Sequence, residues 1–187
     1  MRIEELKESS LSRIQRKLQN HAAGAITAFR GDKTKKENLE NNKKILAYLL
    51  NKGYSVTKVK GSYIENFGSE DQKEVGENSF FVVNGKVEGD DNGQLENDLK
   101  LLGQKFDQDS ILSVRYQEPA ALVGTSDREN AFPGMDTKVT VGKPVFGDSE
   151  GEFFSRIGGR KFAFESEYRF PDNINGIRAM KKLTESI

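Results

Sequence analysis

The chain has no cysteine, no tryptophan, one histidine and four prolines among its 187 residues. Each scarcity removes a class of chemistry. Without thiols there is no disulfide, no thiolate metal site and no cysteine nucleophile. With His21 as the lone histidine, a histidine triad or histidine-rich metal centre is out of reach, and the residue's place at the end of a helical segment points to capping or surface duty. No apolar run approaches the roughly 20 residues that cross a bilayer. The opening Met1-Arg2-Ile3-Glu4-Glu5 carries acids where a signal peptide has its apolar core. These absences lead us to expect a cytoplasmic protein in a reducing setting, with no membrane partner. Also missing are the phosphate-binding loop, the dinucleotide fingerprint, the zinc-protease helix and the serine-hydrolase elbow.

Apolar residues make up 35% of the chain and charged residues 31%, but 12 Phe and 5 Tyr are enough to build a packed core. The zero net charge is unevenly spread: residues 1–60 carry +8, residues 61–155 carry −11 and residues 156–187 carry +3. Such a split either cancels within the fold or presents a surface on which a protein partner docks. Nucleic acid is a poor fit, because the aromatic residues lie in core-like strands and do not interleave with the basic ones.

Apolar spacing predicts an amphipathic helix over 2–20, with Ile3, Leu6, Ile14 and Leu18 on one stripe. Ala25 to Phe29 reads as a short buried strand. A second helix over 37–52 follows, closed by Gly53. The period then falls to two through Tyr54, Val56 and Val59. After an acidic loop from 66 to 77, Ser79-Phe80-Phe81-Val82-Val83 is the strongest strand signal. A third helix is expected over 94–105, and 111–114 and 120–123 read as strands of a hairpin broken at Glu118-Pro119. Phe153-Phe154 and Phe162-Ala163-Phe164 are strand-like, and a closing helix is expected near 173–185. The order predicts an α/β (α+β) fold, with a mixed, largely antiparallel sheet and helices packed on it, in a single domain over 1–187. Residues 1–22 are its N-terminal helix or arm. Residues 124–152 read as a long irregular loop or insertion, holding at most a short edge strand at Val139-Thr140-Val141.

Polar residues gather in two places. Gln108, Asp109 and Ser110 stand at a helix-to-strand junction, where a crevice opens or where they bond local backbone in a turn. Arg156, Arg160 and Lys161 flank a glycine pair, a pattern suited to a phosphate or carboxylate or to a solvated basic turn. Glu65, Glu77 and Asp109 are each expected at a strand edge, where carboxylates can share a hard cation such as Mg²⁺. In a chain with 29 acids three such positions arise by chance, so no metal site is assigned and no cofactor is indicated.

Ile26-Thr27-Ala28, Asn41 on the second helix, Glu77-Asn78-Ser79-Phe80, Phe106-Asp107-Gln108-Asp109-Ser110-Ile111 and Phe154-Ser155-Arg156-Ile157 follow one another in this order. In that the chain resembles an uncharacterised family of small bacterial and phage proteins, loosely over residues 25–157. The resemblance carries no activity with it. It implies that Thr27, Asn41, Glu77, Ser79, Gln108 and Arg156 form one polar constellation at a sheet edge.

Three readings stay open. The first is a small binding protein, a phage or bacterial accessory protein, whose crevice of Thr27, Asn41, Gln108, Asp109 and Arg156 holds an anionic ligand such as a nucleotide. The second is a metal-assisted phosphohydrolase or nuclease-like enzyme using Glu65, Glu77 and Asp109. The third is a virion-associated or host-interaction protein without catalysis.

Overall fold

The computed structural model describes residues 10–65, 73–129, 131–146, 153–157 and 160–165. Along the chain these form α1 (Ser10–Asn20), β1 (Ala23–Ile26), α2 (Lys35–Asn51), β2 (Ser55–Glu65), β3 (Lys73–Val83), α3 (Gln94–Lys105), β4 (Ser110–Val114), β5 (Ala120–Gly124), β6 (Lys138–Phe146), β7 (Phe153–Ile157) and β8 (Arg160–Glu165). The strands pair in the order β1-β3-β2-β7-β8-β6-β5-β4, and β4 returns to β1, so the sheet closes into a barrel. Every pairing between these strands is antiparallel. The helix-decorated, antiparallel α+β domain expected from the order of elements is the fold that forms.

Local chemistry sets the helix ends. Thr34 caps α2: its hydroxyl accepts from the Glu37 backbone N–H while the Glu37 carboxylate accepts from the Thr34 N–H, a reciprocal capping box. Gly53, at φ 79°, turns the chain out of α2 into β2. On α2 the buried positions are Asn38, Asn42, Ile45 and Leu49, one per turn along a single stripe. On α3 they include Leu95, Leu99 and Leu102. These two stripes pack with Ile26, Phe80, Val82, Ile111 and Val123 into the larger core. Burying each such side chain contributes about 1.5–3 kcal/mol. A second core lies on the alternate positions of the same strands, with Ala23, Phe81, Val83 and Val114 meeting Ile14 and Leu18 of α1.

Gly24 shows how closely α3 sits on β1. A methyl group there would come within 2.5 Å of Leu99 Cδ1 and 2.6 Å of the Leu112 carbonyl oxygen, so only hydrogen fits.

Several boundaries differ from the sequence expectation, among them the start of α2 at Lys35 instead of residue 37. β3 begins at Lys73, inside the stretch read as an acidic loop, and pairs with β2 from Lys73↔Glu65 to Val83↔Ser55. Glu74, Gly76 and Glu77 are poor strand formers, and cross-strand pairing overrides their propensity. Residues 138–146, inside the segment read as an irregular loop, form β6, which pairs with β5 on one side and β8 on the other and is therefore no edge. The first strand starts at Ala23 rather than Ala25. Over 10–20, α1 is docked on the sheet, with Ile14 buried, and its end is tied down by His21, whose Nδ1 lies 2.8 Å from the Val87 carbonyl oxygen. The expected closing helix at 173–185 lies outside the described residues.

Candidate functional site

A network of polar residues lies where β1 ends and the chain turns toward α2. One acceptor organises the start of this region. The Asn78 carbonyl on β3 takes a hydrogen bond from the Thr27 hydroxyl at 3.0 Å and another from Asn42 Nδ2 at 2.9 Å. Asn42 Oδ1 in turn accepts from the Ala28 N–H at 2.8 Å. One helical turn earlier, Asn38 accepts from the Arg30 N–H at 3.0 Å and donates to the Arg30 carbonyl at 2.9 Å. Two asparagines spaced by four on the buried stripe of α2 thus satisfy the backbone of the 27–33 loop, which the sheet no longer serves.

Beside them lies an arginine pair. Arg30 Nη1 and Arg128 Nη2 both donate to the Asp107 carbonyl oxygen. Arg128 also pairs with the Asp109 carboxylate. Asp107 adopts a left-handed φ of 53°, uncommon for a residue with a side chain. Arg30 Nε reaches Asp32 at 2.8 Å, and this bond holds the exposed Asp32 carboxyl below its usual range. Gln108 is buried and donates from Nε2 to the Phe106 carbonyl at 3.2 Å, while the Thr125 hydroxyl donates to the Gln108 carbonyl at 2.6 Å.

The residues singled out from the sequence therefore fall into separate groups. Thr27, just past the end of β1, and Ser79, inside β3 next to the Ile26↔Phe80 pair, are both half-buried. Glu77 stands two positions from Ser79 on β3, so positions 77 and 79 share a face of the strand, and its register partner is Gly61, which adds no side chain beside it. Gln108 and Asp109 are adjacent to this region, one engaged with local backbone and the other with Arg128. Asn41 lines a different place, a cleft between α2 and α3. Arg156 is in register with Lys60 of β2 and Lys161 of β8, and Arg160 with Ile157. The carboxylates expected to share a cation are spread out: Glu65 pairs in register with Lys73 and Glu77 with Gly61, four rungs apart on one hairpin, a distance of about 13 Å along the strand. Among the described residues no group of three His, Cys, Asp or Glu side chains could hold a metal ion.

Sequence reasoning missed Asn38, Asn42, Arg30 and Arg128. The signal for the asparagines was present: both fall on the apolar stripe of α2, where an unpartnered amide would be costly.

These features define a small antiparallel barrel, backed by helices, with a built polar end and no metal-binding cluster among its described residues. The model of the S-adenosylmethionine lyase family matches residues 24–164, from β1 to β8, three quarters of the chain. The chain belongs to that family. Its span takes in every motif on which the resemblance to an uncharacterised family rested, from Ile26 to Ile157. No curated protein sequence matches the chain.

Proposed function

We propose that this protein is a lyase acting on S-adenosylmethionine. The observation that carries the reading is the family match over residues 24–164. This substrate has a sulfonium centre that leaves as a neutral thioether when one carbon–sulfur bond breaks. The electron pair of that bond goes to sulfur, and the carbon fragment either loses a proton or closes a bond to a nucleophile within the same molecule. Neither route needs a metal or an added water. The enzyme's work is then to hold the substrate in a reactive geometry and to exclude solvent.

Within the fold, the face of β3 bearing positions 77 and 79, next to the end of β1, is the site we assign. Glu77 is the carboxylate for the cationic end of the substrate, where the sulfonium and the α-ammonium lie, and Ser79 and Thr27 are the neighbouring hydroxyls. Support comes from the register, with Gly61 opposite Glu77, and from the Thr27, Asn42 and Asn78 bonds that brace this end of the sheet.

The test is direct. Purified protein is incubated with S-adenosylmethionine in ¹⁸O-labelled water, and the products are separated by mass spectrometry. The expected result is a thioether nucleoside and a four-carbon amino-acid fragment, formed without initial uptake of labelled oxygen. Intact substrate after prolonged incubation would overturn the reading.

A further inference from the structure

The cleft between α2 and α3 is a cavity of about 320 Å³, and none of the residues assigned above lines it. Its charged wall is made by Lys33, Lys44 and Lys105, which come from the loop after β1, the middle of α2 and the last residue of α3. Its floor is Leu102 and Phe106, both buried, with the Tyr48 ring and the Asn41 amide beside them. Four other lysines have partners: Lys43 pairs with Glu40, Lys52 with Asp98, Lys100 with Asp136 and Lys138 with Glu96. The ammonium groups of Lys33, Lys44 and Lys105 make no ion pair or hydrogen bond among the described residues. The one acid on this wall is Asp107; in the adjoining depression Glu37 is occupied by the Thr34 cap and Glu40 pairs with Lys43.

Three like charges gathered around one hollow repel one another when it is empty and are relieved by an anion within it. Lysine suits a compact multivalent anion such as phosphate. An apolar floor with an aromatic ring and one amide beside it suits a planar base. The volume is that of a small-ligand pocket, at the lower end of the range of about 300–1,000 Å³. We propose that this cleft binds a nucleoside monophosphate, with Lys33, Lys44 and Lys105 meeting the phosphate and Leu102, Phe106 and Tyr48 carrying the base.

The experiment is titration calorimetry of the full chain with uridine monophosphate, chosen because its base differs from that of S-adenosylmethionine. Inorganic phosphate and uridine serve as separate arms. The monophosphate binds, more weakly as salt is raised, while phosphate alone binds less tightly and uridine gives no measurable heat. The double variant Lys44→Gln/Lys105→Gln loses about tenfold or more in affinity for the monophosphate, and Lys44→Arg/Lys105→Arg retains most of it. Thermal melts of both variants match the parent, since Lys44 and Lys105 are exposed. Equal affinity for uridine and its monophosphate, or unchanged affinity in the glutamine variant, overturns the proposal, as does the absence of heat with the monophosphate. Because the readout is nucleotide binding and not turnover, failure here leaves the lyase reading standing, and failure of that reading leaves this one.

Discussion

Tyr54, at the entry to β2, donates its phenolic hydrogen to the buried carboxylate of Asp98 on α3 across 2.6 Å. The same carboxylate accepts from the Tyr48 hydroxyl at 3.2 Å and from Lys52 Nζ at 3.3 Å. One acid on α3 therefore ties together the last turns of α2, the turn that follows and the start of the sheet. Burial, and then the bond to Asp98, push the Tyr54 phenol far above its ordinary value. A raised folded-state value means that the group's contribution is fully present below about pH 10, the unfolded tyrosine's range, and is lost as pH climbs beyond it. Tyr54→Phe is expected to cost about 1–2 kcal/mol at neutral pH and to show a shallower loss of stability than the parent above pH 10. Urea melts at a series of pH values measure both, and parallel alkaline curves would contradict the assignment.

The two asparagines give a contrast between neighbours. Asn42→Ala leaves the Ala28 N–H without its acceptor and removes a donor from the Asn78 carbonyl, so a loss of about 2–4 kcal/mol is expected. Asn41→Ala touches no described hydrogen bond and should stay within about 0.5 kcal/mol. Calorimetric melting of the pair checks this, and equal destabilisation would mean the loop is held some other way.

Glu96 tests the acid limb. Burial pushes its carboxyl up, but the bonds from Lys138 at 2.9 Å and Ser113 at 2.5 Å outweigh this and hold it below the usual glutamate range. A lowered folded-state value gives stability that is present above about pH 4.3 and is lost as pH falls through the folded value. Glu96→Gln is expected to be less stable than the parent at pH 7 and to lose less further stability on going to pH 3. If the two stability curves stay parallel between pH 7 and 3, the carboxylate is not the titrating group.

At Gly24 a methyl group meets Leu99 and the Leu112 backbone, whereas at Gly31 nothing lies within 4 Å. Gly24→Ala should destabilise by about 1–3 kcal/mol through overpacking, while Gly31→Ala is close to neutral. Similar melting temperatures for the two variants would show that α3 can slide away from β1.

Glu77→Gln carries the functional assignment. The amide keeps the shape of the side chain and removes its charge, so consumption of S-adenosylmethionine should fall about 10²-fold or more, with the melting temperature little changed. Chromatography of the residual substrate provides the measure. A variant of full activity would remove Glu77 from the site.

The β4–β5 hairpin, the fold class and the bodies of α2 and α3 were legible because their signals are local: Leu95, Leu99 and Leu102 fall on one side of a helix, although the start of α2, set by the Thr34–Glu37 capping box, was read two residues late. The lower half of β3 was not, since Glu74, Gly76 and Glu77 form a strand only because β2 lies alongside. Barrel closure was equally hidden, as it depends on β7 pairing with β2 and on β4 returning to β1, both far apart in sequence. The polar end of the sheet was half visible. Thr27, Ser79 and Glu77 were named from a motif order, but the reading chose Asn41 where the helix period, followed strictly, selects Asn42 and Asn38. Gln108 looked like a ligand group and serves its own backbone, a distinction that side-chain geometry alone can draw.

β1 has only four residues and precedes the other described strands, yet both its neighbours come much later: Ala23 lies opposite Val83 on one side and Val114 on the other. Until residue 114 has been synthesised, one flank of this segment has no hydrogen-bonding companion, and contacts over such separations form slowly. A nascent chain halted before Val114 would leave Ala23-Gly24-Ala25-Ile26 paired on its β3 flank alone, an open edge onto which another strand could add.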